Sequence, residues 1–330
     1  MSDQSTFGRQ SLELDAAQEI DRLVEGLRQH IHHTFHRQGA VVGISGGIDS
    51  SVVLALCAKA FEPQRVIGVL LPEEESSPDS ARLAHELADQ FGVETVTEDI
   101  SGALEGFGCY RRRDEAIKRV FPQYDRGWRA KIVLAGNLLE QAALNVFRLT
   151  VTDPDGEEFS KRLPVREFAQ IVAASNFKQR SRMSLLYYHA ELRNYAVIGT
   201  ANKNEYALGF FVKYGDGGND IQPIAHRFKT QVYQLAKHLN IPKEIQQRTP
   251  TTDTYPGGST QEEFFYRVPF DILDTVWLGY ERGLPHEAIA QGLGLSIEQV
   301  ERIIADIISK QRATAYLRQA PITLDDDSQL

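Results

Sequence analysis

Residues 41–51, Val41-Val42-Gly43-Ile44-Ser45-Gly46-Gly47-Ile48-Asp49-Ser50-Ser51, concentrate the residue types that handle a phosphate. Glycine lacks a Cβ, so successive backbone N–H groups can converge on an anion, and a helix starting just after them adds the positive end of its dipole. The hydroxyls of Ser45, Ser50 and Ser51 offer further donors, and Asp49 offers a carboxylate to a divalent metal against the same phosphate. Spacing narrows the chemistry. No lysine follows the second glycine, as a Walker A loop requires, and Gly43, Gly46 and Gly47 do not fit G-x-G-x-x-G. Gly43-Ile44-Ser45-Gly46-Gly47 does satisfy G-x-S-x-G, which would make Ser45 a hydrolase nucleophile. Against that reading, no HGGG-type oxyanion motif is present and little chain precedes Ser45 for the strands such an elbow needs. A plain glycine turn is the third alternative.

The elements that must position this loop follow from patterning. Residues 41–44 are apolar enough for a buried strand, and over 50–61 Val53, Leu54, Leu56, Cys57 and Ala60 recur at helical spacing. An earlier helix presents Ala16, Ile20, Leu23, Val24, Leu27 and Ile31 on one face. After Pro63, residues 66–71 predict a second buried strand; Ser77 and Pro78 open a helix reaching Phe91 and closed by Gly92, and 93–97 gives a third strand. This βαβ pattern implies an α/β fold with a parallel sheet flanked by helices, in which ligands bind at the carboxyl ends of the strands. Leu71-Pro72-Glu73-Glu74-Glu75-Ser76-Ser77 stands at such an end, as part of the site or as a solvated loop.

Beyond the third strand the pattern changes, and 104–171 reads as an inserted segment of a single domain. It holds Arg111-Arg112-Arg113, a phosphate binder or a solvated basic turn, and a hairpin in which Asp153-Pro154-Asp155-Gly156 turns between 146–152 and 157–163. As a peripheral insertion it is expected to be removable without loss of nucleotide binding. Residues 176–194 predict a helix and 195–199 a strand, at whose end Thr200 stands and Glu205 is placed to reach back to the glycine loop. Residues 210–220 mix glycine with Lys213, Asp216 and Asp220, charges suited to phosphate, metal or ribose hydroxyls. Lys229 opens a helix over 230–239, and the turn-forming stretch 248–260 reads as a mobile lid. His32 and His36, one helical turn apart, could share a metal or simply face solvent. Residues 1–12 and 324–330 are expected to be disordered.

With 330 residues, 42% hydrophobic and 25% charged, the chain can bury a large core. A formal charge of −9 offers no general basic surface for nucleic acid. The absence of a membrane-length apolar run or a signal-peptide core predicts a cytoplasmic protein without a membrane partner. Cys57 and Cys109 form no C-x-x-C, so structural zinc and a disulfide framework are not expected.

Ser45-Gly46-Gly47-Ile48-Asp49-Ser50 resembles the pyrophosphate loop of the ATP pyrophosphatases. With Gly199-Thr200, Glu205 and Lys213-Tyr214-Gly215-Asp216-Gly217-Gly218 in this order, residues 41–100 and 175–265 resemble the NAD synthetases. The resemblance implies a Rossmann-like adenine nucleotide alpha hydrolase fold and ATP-dependent, ammonia-dependent amidation of nicotinic acid adenine dinucleotide (deamido-NAD). The route would be an acyl-adenylate, with pyrophosphate and then AMP leaving. It further implies a homodimer, ATP held by residues 43–51, Thr200, Lys229 and Thr251, and Mg2+ held by Asp49 and Glu205. Arg180, Lys213 and Asp220 match dinucleotide-binding positions, and Asp216 matches an acid near the reacting carboxylate; Asp49, Asp216 and Lys229 are the catalytic candidates. Asp49→Asn and Glu205→Gln are expected to remove the chemistry and leave the fold intact. Short bacterial members lack the 104–171 segment. Where the family carries His-Lys-Arg before Pro-Ile-Thr, this chain has Tyr316-Leu317-Arg318, which leaves Arg318 as the candidate for that contact. Another adenylating amidotransferase, a tRNA-modifying enzyme and a catalytically silent nucleotide-binding regulator are the alternative functions.

Overall fold

The computed structural model describes residues 7–125, 127–134, 136–140, 146–251 and 260–324. α1 (Ala16–Gln29) starts at Asp15, whose side chain accepts from Gln18 N at 3.0 Å, and widens into a π turn at His30–Thr34 before β1 (Ala40–Gly43). α2 (Ile48–Ala60), β2 (Val66–Leu70), α3 (Pro78–Phe91) and β3 (Glu94–Thr97) follow as the βαβ spacing predicts, with Gly92 left-handed at the end of α3. The next elements are α4 (Ser101–Gly106), α5 (Cys109–Val120), β4 (Arg129–Leu134), β5 (Phe147–Thr152), β6 (Glu158–Arg162), α6 (Val165–Arg193), β7 (Ala196–Ile198) and α7 (Lys203–Leu208). The chain closes with α8 (Lys229–His238), α9 (Lys243–Gln247), α10 (Phe270–Glu281), α11 (His286–Leu293) and α12 (Ile297–Ala313).

The main sheet runs β3-β2-β1-β7 with all pairs parallel, and a bridge from Ile198 to Ile221 continues its edge. Side chains alternate across a strand, so one face takes Ala40, Val42, Val66 and Ile198 against α1, α2, α3 and α8. The other takes Val41, Ile67, Val69 and Val197 against Leu104, Cys109 and Tyr110 of α4 and α5 and Leu185 and Leu186 of α6. Burial on both faces explains why β1 and β2 read as continuous apolar runs. A separate apolar cluster joins α10, α11 and α12.

The sequence expectations hold unevenly. The 153–157 turn joins β5 to β6 as expected, but their antiparallel partner β4 was not foreseen, because Arg129-Ala130-Lys131-Ile132-Val133-Leu134 buries alternate residues and carries charge between them. The helix expected over 176–194 is one continuous element from Val165, so position 171, the expected end of the inserted segment, lies inside α6. Residues Ala116, Ile117, Phe121, Ile132, Leu149 and Val151 of the segment form their own cluster, yet Leu104, Cys109 and Tyr110 cover the main sheet. Deleting 104–171 is therefore expected to abolish the cooperative thermal transition rather than to spare nucleotide binding. A deletion variant that melts cooperatively and binds ATP would overturn this.

At the N-terminus, residues expected to be disordered form a 3-10 turn at Arg9–Leu12. Leu12 is buried and its carbonyl accepts from Gln231 and Gln234. Residues 1–6 and 325–330 lie outside the described residues. His32 is engaged by its own neighbours, donating from Nδ1 to Arg37 O at 3.0 Å and lying edge-on to Phe61, while His36 takes a left-handed backbone with φ +54° after the π turn. Among the described residues no group of three or more His, Cys, Asp or Glu converges as a metal site. No described helix is long and apolar enough to cross a membrane.

Glu19 pins α1 to the turn before α8, accepting from Arg22 at 2.8 Å, Arg227 at 2.7 Å and His226 at 2.9 Å. Burial pushes its carboxyl up, but these three partners outweigh burial and hold it down at about 2. The folded protein thus binds this proton more weakly than the unfolded chain. Its stabilisation is complete above the ordinary value of 4.5 and is lost as pH falls toward 2. Glu19→Gln is expected to lower the urea midpoint at pH 7 and to flatten its decline across that window.

Candidate functional site

The glycine loop leaves β1 and enters α2 as the sequence requires. Gly46 adopts φ +69°, and a Cβ there would lie 2.7 Å from the Ser80 carbonyl oxygen, so only glycine lets the loop pass over α3. Gly47 caps α2 without a side-chain hydrogen bond, which leaves the first N–H groups of the helix open to an anion. The serine hydroxyls are more committed than their spacing suggested. Ser51 is fully buried and donates to Gly47 O at 2.7 Å, Ser50 donates to the same carbonyl at 3.1 Å, and Ser45 Oγ lies 3.3 Å from Ser50 Oγ and accepts from Gly47 N. The described partners of Ser45 include no base, which removes the geometric support for a hydrolase nucleophile.

The loop forms one wall of a cleft of about 890 Å³ at the carboxyl ends of the strands. Gly43, Ile44, Ser45, Gly47, Ile48, Asp49 and Ser50 line it, together with Thr200, Glu205, Asp216, Lys229 and Thr251. Gly46, Ser51, Arg180, Lys213 and Asp220 are not part of its lining. Arg180 donates to Lys213 O at 3.4 Å, while Asp220 accepts from Val197 N at 2.8 Å and Tyr187 Oη at 3.0 Å. Lys213 Nζ donates to the carbonyls of Tyr316 and Gln319 at 3.0 and 2.9 Å. The substituted C-terminal stretch is thereby tied to the loop 211–220, and Tyr316 itself lines the cleft. Arg318 faces elsewhere, donating to the carbonyls of Tyr206 and Gln311. The lid expected over 248–260 falls largely outside the described residues; its ends meet in a bridge between Thr251 and Thr260.

At the cleft floor Asp49 receives an ion pair from Lys229 Nζ and a 2.9 Å hydrogen bond from Asn202 Nδ2. Burial alone would depress the Lys229 ammonium, but Asp49 and Glu205 hold it above its ordinary value, so it stays charged although only 1% exposed. Glu205 is pushed up to about 8 by burial and by the like charge of Asp49, against the pull of Lys229. Glu205 is therefore largely protonated at neutral pH beside the Asp49–Lys229 pair, and a second cation bound there would draw it into its ionised form. Asp216 is exposed at the cleft wall, accepts from Val212 N at 2.7 Å, and its carboxyl is pushed up to about 6 by the protein crowded around it.

Several residues that build this floor were not singled out in sequence. Asn202 caps α7, accepting from Glu205 N at 3.1 Å while Glu205 Oε2 accepts from Asn202 N at 3.1 Å. The Asn-x-x-Glu spacing of such a capping box was available as a signal. Asp274, held at about 6 by burial, accepts from Asn204 at 2.5 Å and from Thr230 N and Oγ1 at 3.0 and 2.8 Å. Asn204 in turn accepts from Lys229 N at 2.9 Å, so this network sets the start of α8 and the direction of its lysine. Arg248 donates to Ser80 Oγ at 2.9 Å and lines the cleft beside the loop. Of the three glutamates after β2, Glu74 is exposed, whereas Glu73 and Glu75 are held in ion pairs. Lys178 bonds Glu73 at 2.9 Å and Glu75 at 2.7 Å, and Arg113, the buried member of the arginine triplet, bonds Glu75 at 2.6 Å. These pairs lock the loop after β2 to α5 and α6.

The family model described as NAD synthase matches residues 19–121 and 129–321, a span that runs through the expected insertion apart from 122–128. An NH(3)-dependent NAD(+) synthetase of Mesorhizobium japonicum is 47% identical over 311 residues, covering 94% of this chain and 97% of that protein. One from Thermotoga maritima is 34% identical, covering 92% and 99%. Among solved structures, an NH3-dependent NAD synthetase from Campylobacter jejuni superposes with a TM-score of 0.61 at 23% identity, covering 94% of this chain and all of that one. An NMN synthetase from Francisella tularensis superposes with a TM-score of 0.60 at 24% identity, covering 94% and 99%. These two likenesses show the shared fold.

Proposed function

Because this chain belongs to the NAD synthase family, we propose that it is a ligase forming a C–N bond, which makes NAD from deamido-NAD, ATP and ammonia. The observation that carries the reading is the convergence of Asp49, Lys229 and Glu205 below the open N-terminus of α2. A nicotinate carboxylate is a poor acylating agent. In the proposed reaction its oxygen attacks the α-phosphorus of ATP, pyrophosphate leaves, and ammonia displaces AMP from the acyl-adenylate. The α2 N–H groups and Lys229 take up charge on the phosphates. Asp216, ionised above about 6, accepts the proton that the nitrogen must lose.

Two carboxylates, with no third His, Cys, Asp or Glu converging on them among the described residues, fit Mg2+, which is commonly held by one or two carboxylates, phosphates and water. Asp49 and Glu205 would hold it, and when bound it would neutralise phosphate charge. Arg180, Lys213 and Asp220 remain the proposed dinucleotide contacts. A homodimer remains the proposed assembly, with Tyr188 and Leu192 among the exposed apolar residues on α6 for such a contact to cover. A cytoplasmic setting, no nucleic-acid partner and a single domain into which the 104–171 segment is built belong to the same reading.

The test is synthesis of NAD from deamido-NAD, ATP, Mg2+ and ammonium, run beside nicotinate mononucleotide. AMP and NAD should appear in equal amounts. Preference for the mononucleotide would replace the substrate, and absence of AMP would remove the reaction. Glutamine should not substitute for ammonium. Cys57 is buried and its thiol is raised far above its ordinary value by burial. Cys109 is pushed up to about 11 by burial and donates to Ala174 O at 3.2 Å, so neither is poised as a thiolate nucleophile. Converting both cysteines to serine is expected to leave ammonium-dependent synthesis within about twofold. Glutamine-dependent turnover lost in either variant would overturn the assignment.

A further inference from the structure

α9 delivers Arg248 to the rim of the glycine loop. Ile245 is fully buried in the core that α2 shares, Glu244 pairs with Arg82 of α3, and Pro250 prevents the helix from continuing. Arg248 Nη2 donates to Ser80 Oγ at 2.9 Å, and Nη1 lies 3.5 Å from Gly46 O. Its Nε–H and the second hydrogens of Nη1 and Nη2 have no protein acceptor among the described residues, and the side chain lines the cleft. The other described cations of the lining are placed differently. Lys229 is paired with Asp49 and Lys178 with Glu73 and Glu75, while Arg182 belongs to α6, on the opposite face of the sheet, and bonds Leu71 O at 3.1 Å. Arg248 alone among them combines contact with the glycine loop and a charge that no described carboxylate pairs with.

Its place decides which phosphates it can hold. The strand order sets β1 between β2 and β7, so the N-terminus of α2 has α3 on one side and α8 on the other. Lys229 and Glu205 stand on the side of β7 and α8, and Arg248 stands on the side of α3. In phosphoryl transfer the attacking and leaving oxygens lie roughly in line. A carboxylate entering from the side of β7 and Asp216 therefore sends the leaving group toward α3. We propose that Arg248 binds the β- and γ-phosphates of ATP and neutralises pyrophosphate as it departs, its planar fork spanning two phosphate oxygens. The inference rests on the proposed adenylation in this cleft. As the carboxylate oxygen bonds to the α-phosphorus, the bond from that phosphorus to the oxygen shared with the β-phosphate breaks. The electron pair stays on pyrophosphate, where a pre-positioned guanidinium takes up the charge.

Equilibrium binding of ATP, AMP and inorganic pyrophosphate at fixed Mg2+, without deamido-NAD so that nothing turns over, tests this in wild type, Arg248→Gln and Arg248→Lys. In wild type, pyrophosphate should compete with ATP. Arg248→Gln keeps a donor for Ser80 and loses the charge. It should weaken ATP and pyrophosphate by roughly 10- to 100-fold, the range for losing a charge-assisted hydrogen bond, and leave AMP within about twofold. Arg248→Lys keeps the charge without the fork, so its pyrophosphate affinity should fall between those of wild type and the Gln variant. If Arg248→Gln does not fold, the lysine variant decides. Pyrophosphate weakened about threefold or more at unchanged AMP affinity supports the assignment, and pyrophosphate bound as in wild type overturns it. A wild type that binds neither ATP nor pyrophosphate removes the adenylation reading itself. Wild-type ATP affinity in Arg248→Gln, or AMP weakened as much as ATP, overturns the role of Arg248 and leaves that reading standing.

Discussion

Asp49→Asn should slow pyrophosphate release from ATP by roughly 10²- to 10³-fold, the range for losing one preorganised electrostatic contact in a catalytic site. It should also cost about 3 kcal/mol of folding stability, because removing one partner of a buried ion pair strands the other. The sequence alone suggested a purely chemical lesion. The structure changes that expectation: Lys229 is 1% exposed, and the Asp49 carboxylate is its ion-pair partner. Adding Lys229→Met to Asp49→Asn should recover much of the lost stability and none of the activity, a non-additivity that a double-mutant cycle reads directly. Glu205→Gln differs, since glutamine at the third position of α7 still serves a capping box, so its urea midpoint should stay near wild type while pyrophosphate release falls. Near-normal release in either variant would remove the metal assignment, and full stability of Asp49→Asn would show that Lys229 finds another partner.

Asp216→Asn is expected to slow NAD formation by about 10²-fold or more and to spare the adenylation step, as loss of a general base should. Although Asp216 is exposed at the cleft wall, partial desolvation by the surrounding protein pushes its carboxyl up to about 6, which makes it a stronger base than an ordinary aspartate while leaving it ionised at neutral pH. At constant free ammonia the wild-type rate should therefore fall about tenfold per pH unit below about 6, and this limb should be missing in Asp216→Asn. Stability runs the other way. The folded state binds this proton more tightly than the unfolded chain does, so the contribution of Asp216 to stability is largest below its ordinary value of 3.8 and is lost as pH rises through about 6. Rapid-quench assays separate the steps. Equal loss of pyrophosphate release and of amide formation would assign Asp216 to substrate binding instead.

The sequence by itself determined the central βαβ unit and the phosphate-handling loop. Both are local: the buried runs at 40–43 and 66–70, Pro78 and Gly92 bounding α3, and the Ser-Gly-Gly-x-Asp-Ser spacing need no distant partner to be read. It also supplied the residues that line the cleft floor, Asp49, Thr200, Glu205, Asp216 and Lys229. Only the tertiary structure decided what state those residues are in. Asp49 and Lys229 are 180 positions apart, and their pairing, the raised carboxyl of Glu205 and the supports from Asn202, Asp274 and Gln261 depend on which strands adjoin in the sheet. The same holds for Glu73, Glu75, Lys178 and Arg113. In sequence they are an acidic loop, a helix lysine and a basic triplet; folding places them in one buried cluster, where each charge is compensated by partners more than thirty positions away. Periodicity and spacing report on neighbours along the chain, whereas desolvation and long-range pairing arise only when the sheet, α5 and α6 close around the cleft.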